Sequence, residues 1–232
     1  MVFEFAKNGA LRDWLHVHGG DVLGWSQRVL VALDVAGGLN HLHNYTDPPY
    51  VHMNLNSSNI LLDACFRAKL SNFGLVRAIA VDTDTEDGGL WRTRNVVGTQ
   101  GYLAPEYLEH GLVGTHLDVF VFGVVLLELL SGKEAAVALD GDGGHANDEK
   151  VVLLWEEAEL LGRLGDGDGA KDDLLDKVTT FIDDWLDGQY PLDVAVAMLA
   201  LALRCVAREP RARPSLAKVF LSLSGMYSTI GH

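Results

Sequence analysis

The sequence has few basic residues. Its 232 residues include 18 Lys and Arg against 32 Asp and Glu, which gives a formal net charge of −14. Much of this excess lies between Asp140 and Asp187, where 15 acidic and 4 basic residues leave a net charge of −11. Nucleic acids and anionic membranes attract basic surfaces. The composition therefore excludes nucleic acid as a general partner.

Cysteines and long apolar runs are also scarce. The two cysteines, Cys65 and Cys205, lie far apart and outside any paired metal-binding spacing, which indicates reduced thiols. The longest apolar runs, 119–127 and 194–203, are far shorter than the ~20 residues that span a bilayer. The N-terminal residues carry no positively charged leader typical of a signal peptide. We expect no direct membrane insertion and a soluble chain.

Hydrophobic periodicity predicts a mainly helical protein. Residues 25–44 place their apolar side chains on one helical face, and residues 117–132 are apolar nearly all round, which predicts a buried helix. Apolar residues at helical spacing predict three further helices, over 154–161, 174–185 and 194–205, with Trp185 as the last apolar residue of the second. A final helix is predicted to start at Pro214.

One short sheet element is predicted between the helices. The β-like runs "NILLD" (59–63) and "AKLSNF" (68–73) are joined by four residues, which is hairpin length, although those residues carry no strong turn signal. The stretches 139–149 and 164–173 are rich in Gly and Asp, but neither has the ligand spacing of an EF-hand loop. We interpret them as solvated acidic loops.

The most informative stretch is "VHMNLNSSNILLD" (51–63), followed by "LSNFG" (70–74). Four asparagines stand in these two segments: Asn54, Asn56, Asn59 and Asn72. An amide forms hydrogen bonds but has no basic atom with which to accept a proton, and it is a weaker ligand than a carboxylate for a hard cation. The pattern suggests a phosphoryl-transfer site that has lost its charged groups.

These segments, in order, resemble the C-terminal lobe of a eukaryotic protein kinase. Residues 51–63 stand where the His-Arg-Asp catalytic loop belongs, and "LSNFG" stands where Asp-Phe-Gly belongs. "APE" (104–106) matches the family motif outright. The resemblance continues through "DVFVFGVVLLELLSGKE" (118–134) and "REPRARPS" (208–215). The chain is most similar to plant receptor-like kinases, and within them to the kinase-defective branch of the LysM receptor-like kinases.

The resemblance implies a mainly α, protein-kinase-like C-lobe: a helical bundle with a small β-hairpin, and with the N-lobe absent. The hinge would occupy about residues 1–8 and the C-lobe 9–228. Phe3 would lie near the gatekeeper position, and Glu4 would follow it in the hinge. Phe5, Ala6 and Leu61 would contact the nucleotide.

The resemblance also gives each asparagine a position in the site. Asn54 replaces the catalytic Asp and Asn56 replaces the Lys that stabilises the transferring phosphoryl group. Asn59 and Asn72 occupy the magnesium positions, where only Asn59 keeps the family identity. We therefore expect no cofactor, with ATP and magnesium bound weakly at most.

Other family positions bear on structure and regulation. Glu106 and Arg213 match a buried ion pair, and Asp118 matches the residue that holds the catalytic-loop backbone. Met53 replaces the Arg that binds a phosphorylated activation loop, so phosphorylation there would gain no basic partner at this position. The threonines concerned are Thr83, Thr85 and Thr93.

Three functions follow from the resemblance. The first is a pseudokinase lobe that acts as a non-catalytic scaffold for an active receptor-like kinase or another signalling protein. In a full-length parent it would lie on the cytoplasmic side of the plasma membrane. The second is a degenerate but active Ser/Thr kinase, and the third is a truncated product without independent function. The acidic region 140–187 is either a docking surface or a solvated face.

Overall fold

The chain folds around eight helices, as seen in a computed structural model that describes residues 5–16, 22–79, 91–139, 150–163 and 170–230. The helices are α1 (Leu11–His16), α2 (Trp25–Asn44), α3 (Pro105–His110), α4 (Thr115–Ser131), α5 (Leu154–Arg163), α6 (Ala170–Phe181), α7 (Leu192–Cys205) and α8 (Leu216–Ile230). None of these described helices is long and apolar enough to cross a membrane. The predicted helical character is confirmed.

Helix α4 forms the centre of the core. All but its first two residues are buried, as its apolar sequence predicts. It packs against α2, α5 and α7, and α2 in turn packs against α8. The helix ends at Gly132, which adopts a left-handed conformation at φ 66°, a backbone region that glycine enters without strain. Residues of this central helix therefore contact α2, α5 and α7.

Among the described residues, the strands form four two-stranded antiparallel pairs. The pairs are β1 (Tyr50–Val51) with β4 (Arg77–Ala78), β2 (Ile60–Leu62) with β3 (Ala68–Leu70), β5 (Trp91–Arg92) with β6 (Leu112–Val113), and β7 (Ala136–Leu139) with β8 (Lys150–Leu153). The predicted hairpin is β2–β3. The prediction of a single sheet element was wrong. Six strands were missed: four have two residues, too short to show an alternating pattern, and β7 and β8 have four residues each.

The β2–β3 turn depends on a side chain. Asp63 Oδ1 accepts hydrogen bonds from the backbone N–H groups of Cys65 (2.8 Å) and Arg67 (3.0 Å). An aspartate that bonds the backbone ahead of it replaces the Gly or Pro of a common turn. This fixes the register, in which Ile60 faces Leu70.

Two predicted helix boundaries were wrong. Helix α6 ends at Phe181, and Trp185 lies in a short 3-10 helix with 56% of its surface exposed. The helix stops because the Asp183 carboxylate accepts from the Trp185 N–H (3.0 Å) and pairs with the buried Arg28 guanidinium. Helix α8 begins at Leu216, two residues after Pro214.

Candidate functional site

The segment 52–59 is held by a buried carboxylate of α4. Asp118 is 0% exposed, and its two oxygens accept from the backbone N–H groups of His52 (2.8 Å) and Met53 (3.0 Å). His43 Nε2 lies 2.8 Å from the same carboxylate. Three contacts on one buried acid fix the loop backbone, including the left-handed conformation of Met53 at φ 63°. The Met53 side chain packs against the apolar core.

The His52 ring joins this loop to the segment 70–74. Burial lowers the pKa of His52, despite the nearby Asp118 charge and the Ser71 carbonyl, so the ring is neutral at pH 7. Nε2 donates to the Ser71 carbonyl oxygen (3.0 Å), which leaves Nδ1 to accept from the Asn54 N–H (3.3 Å). The two asparagine-bearing segments are thereby held in contact.

Asn54 stands half-buried at the centre of the loop, where its carbonyl oxygen accepts from Asn59 Nδ2 (2.8 Å). Its side chain ends in an amide, which has no atom that takes up a proton near neutral pH. The loop therefore presents a hydrogen-bonding group, and no general base, at this position.

The Asn56 side chain forms hydrogen bonds that hold the loop together. It is 6% exposed, and its Oδ1 accepts from the backbone N–H groups of Ser58 (3.0 Å) and Asn59 (3.1 Å). These bonds cap the 3-10 helix Ser57–Asn59. Its Nδ2 donates to Thr99 Oγ1 (3.3 Å), so both ends of the amide are used.

Asn59 and Asn72 lie side by side. Asn72 Nδ2 donates to Asn59 Oδ1 at 3.3 Å, and Asn72 has a left-handed backbone at φ 61°. The two residues predicted at metal positions are thus neighbours in space. Hard divalent cations prefer charged carboxylate oxygens. Two neutral amides that bond to each other do not fit a magnesium ion.

Of the three residues predicted to contact a nucleotide, Leu61 lies in β2, and Phe5 and Ala6 precede α1. The segment before α1 runs beside that strand: the Asn8 N–H donates to the Leu62 carbonyl (3.0 Å), and Ala10 bridges to Leu61. Ala6 and Leu61 are half-buried, whereas Phe5 is 86% exposed. The structure therefore places Leu61 beside the segment 8–10, and Phe5 exposes its ring to solvent.

The predicted regulatory residues lie only partly in the described chain. Thr93 is half-buried, and its hydroxyl bonds the backbone of Asn95. Phe3, Glu4, Thr83 and Thr85 lie outside the described residues, as does much of the acidic region 140–187.

Glu106 and Arg213 form a buried ion pair between the start of α3 and the segment before α8. Arg213 Nη1 and Nη2 lie 2.6 and 2.8 Å from the two carboxylate oxygens of Glu106. The guanidinium also donates to the carbonyls of His116 and Ala207 and stacks 4.8 Å above the Phe120 ring. The pair ties α3, α4 and α8 together.

A second buried network escaped the sequence reasoning. Glu128 on α4 is 1% exposed, and its Oε1 accepts from Ser57 Oγ (2.9 Å) and lies 3.0 Å from His16 Nε2. Tyr102 OH lies 3.0 Å from Ser57 Oγ. The members are far apart in sequence and belong to no local pattern. The one available signal was an acidic residue in the middle of an otherwise apolar helix.

Comparisons with known proteins identify the family of the chain. The profile of the family described as protein tyrosine and serine/threonine kinase matches residues 1–223. Protein LYK5 of Arabidopsis thaliana is 44% identical over 99% of this chain and 32% of its own length. LysM domain receptor-like kinase 3 of Arabidopsis thaliana is 37% identical over 97% of this chain and 33% of its own length. Chitin elicitor receptor kinase 1 of the same plant is 38% identical over 100% of this chain and 34% of its own length.

The chain spans about a third of the length of these relatives. Its helices with small antiparallel sheets are consistent with a kinase C-lobe-like fold. Because the family profile covers nearly the whole chain, we conclude that the chain belongs to the protein tyrosine and serine/threonine kinase family.

Proposed function

We propose that this chain is a kinase lobe that does not transfer phosphate and acts as a signalling scaffold beside an active receptor-like kinase. The observation that carries the proposal is the combination of Asn54, Asn56 and Asn72 in one site, where the family chemistry uses two carboxylates and an ammonium. Each replacement removes a formal charge.

The local geometry supports this interpretation. Asn54 offers no base, and loss of a positioned general base costs on the order of 10²–10⁴ in rate. The Asn56 amide caps the 3-10 helix, so it is not available to a phosphoryl group. Asn72 contributes a neutral amide that bonds to Asn59, which leaves a magnesium ion without a charged ligand.

The scaffold role draws on what the site retains. Asp118 still holds the loop backbone, and the Glu106–Arg213 pair still joins the surrounding helices. These contacts preserve the shape of the lobe, and a preserved surface is what a binding partner requires. By analogy with the receptor-like kinases that the chain resembles, the partner would be a signalling kinase at the cytoplasmic side of the plasma membrane.

The alternative is a degenerate Ser/Thr kinase that still binds ATP. Its support is the contact between Asn59 and Asn72, which brings the two metal positions together. It predicts that magnesium and ATP stabilise the fold, whereas the scaffold proposal predicts that they do not.

Thermal unfolding with and without ATP and magnesium distinguishes the two functions. A ligand at 100 times its dissociation constant stabilises a folded protein by about 2.7 kcal/mol, which shifts the melting temperature measurably. We expect no magnesium-dependent shift for the chain. The matched variant Asn72→Asp restores one carboxylate, and we expect any gain in magnesium-dependent stabilisation to occur there. A shift in the unaltered chain as large as in the variant would contradict the scaffold proposal.

A further inference from the structure

The His16 ring is enclosed between two acceptors. His16 ends α1, its side chain is 6% exposed, and its nitrogens face the Gly132 carbonyl oxygen (Nδ1, 3.0 Å) and Glu128 Oε1 (Nε2, 3.0 Å). A carbonyl oxygen only accepts hydrogen bonds, and so does an ionised carboxylate. With Glu128 ionised, both ring nitrogens donate, and the ring is the doubly protonated imidazolium.

Glu128 is a buried acid beside the ring. Its Oε1 already accepts from Ser57 Oγ, and its Oε2 is buried without a hydrogen-bond partner among the described residues. A buried carboxylate is costly unless a cation lies beside it. The His16 imidazolium supplies that positive charge.

We infer that His16 is a proton-dependent latch: its imidazolium fastens α1 to α4, and loss of one proton releases that contact. The latch reaches beyond the two helices. The Glu128 oxygen that faces His16 also accepts a hydrogen bond from Ser57 Oγ in the loop 52–59. Ser57 Oγ in turn lies within hydrogen-bond distance of Tyr102 OH.

The latch also stands between two cavities. One cavity, of about 180 Å³, is bounded by the loop residues Asn56, Ser57 and Ser58. The other, of about 310 Å³, lies against Val137 of β7 and Val152 of β8. His16 lines both. Release of the ring would join the two spaces into one groove that runs from the loop to the β7–β8 hairpin.

The charges around the ring favour its protonated form. Glu128 is the nearest, and Glu134, which pairs with Arg12 at 2.8 Å, lies at the mouth of the first cavity. On the other side Lys133 pairs with Glu157. Tyr102 is neutral, because burial and the Glu128 charge raise the pKa of its hydroxyl.

Burial alone would lower the pKa of His16. The hydrogen bond and charge of Glu128, the Gly132 carbonyl and the Glu134 charge outweigh burial, and the pKa is raised above 6.5. A raised pKa means that the folded state binds the proton more tightly than the unfolded state does. The stabilisation is therefore complete below pH 6.5 and is lost as the pH rises through the folded-state pKa.

Two measurements on the 232-residue chain test the latch. The first is a ¹⁵N NMR titration of the histidine rings. We expect His16 to carry protons on both nitrogens at pH 6.5 and to titrate above 6.5, the ordinary value for histidine, and Glu128→Gln to lower the His16 pKa. A His16 ring with one bare nitrogen at pH 6.5, or one that titrates below 6.5, would overturn the inference.

The second measurement follows the denaturant midpoint and the hydrogen exchange of residues 11–16 from pH 6 to pH 9. In the unaltered chain and in the control His41→Gln, the midpoint should fall and corrected exchange in α1 should rise with pH. His16→Gln should remove the His16 contribution to both, so that its midpoint depends less on pH and its α1 exchanges rapidly at every pH. Parallel profiles for all three proteins would refute the latch, because a purely structural contact has no such pH dependence.

Discussion

At the residue scale, hydrogen bonds of the asparagine side chains stabilise the loop 52–59. Asn56 shows this most clearly, because both backbone bonds to its Oδ1 and the bond from its Nδ2 stabilise the loop that holds it. A lysine at this position would have no acceptor for the two N–H groups. The amide at position 56 therefore supplies a helix cap that a lysine would not.

This predicts that the family residue is now unfavourable at position 56. We expect Asn56→Lys to destabilise the fold by about 1 kcal/mol, since the loss of an N-cap costs roughly 0.5–2 kcal/mol. Asn56→Ser keeps a capping acceptor oxygen without burying a charge and should cost less. Chemical denaturation measures both, and equal stability of the two variants would show that the cap contributes nothing.

Sequence motifs predict the contacts of some residues in the site but not of others. The partners of Asp118, Glu106 and Arg213 were expected from family positions, and the structure places Glu106 beside Arg213. His16 belongs to no motif, and its partner Glu128 is 112 residues away. No local pattern encodes a contact of that sequence separation, so only the fold shows it.

At the element scale, close packing of α7 against α4 restricts which residue can stand at position 123. A Cβ built on Gly123 would lie 2.7 Å from Cys205 Cβ and 2.7 Å from Val206 Cγ1, closer than carbon atoms approach. Glycine therefore permits α4 and the end of α7 to touch. Gly225 in α8 differs, because nothing lies within 4 Å of its added Cβ.

These two glycines form a matched pair for mutation. We expect Gly123→Ala to destabilise by about 1–3 kcal/mol through overpacking. Gly225→Ala should stabilise by roughly 0.8–1 kcal/mol, because alanine is the better helix former where space is open. Urea unfolding of both variants measures the difference, and a stabilising Gly123→Ala would mean that α4 and α7 are not in close contact.

Secondary structure was predicted correctly where an element is long enough to show a hydrophobic repeat in the sequence. Helices α2, α4 and α7 have many turns of apolar repeat, and their existence follows from sequence. The strands β1, β4, β5 and β6 have two residues each and carry no period. The end of α6 depends on Asp183 bonding to Arg28, 155 residues away, which no helical stripe predicts.

At the scale of the whole molecule, our proposal is that the chain keeps the buried contacts that shape the fold but lacks the charged groups that phosphoryl transfer requires. The buried carboxylate Asp118 and the Glu106–Arg213 pair remain, and they hold loop, α3, α4 and α8 in place. Positions 54, 56 and 72 carry neutral amides. Removal of one partner of a buried ion pair costs about 3–5 kcal/mol, so loss of Glu106 or Arg213 alone is expected to destabilise the fold by that amount.

Phosphoryl transfer itself is the most direct test of this proposal. The measurement is magnesium-dependent incorporation of labelled phosphate from ATP, into the chain or a generic acceptor protein, by the unaltered chain and by Asn59→Ala. We predict no incorporation above a heat-denatured control for either protein. Incorporation by the unaltered chain that is lost in Asn59→Ala would contradict the scaffold, because a contaminating kinase would be unaffected by that substitution.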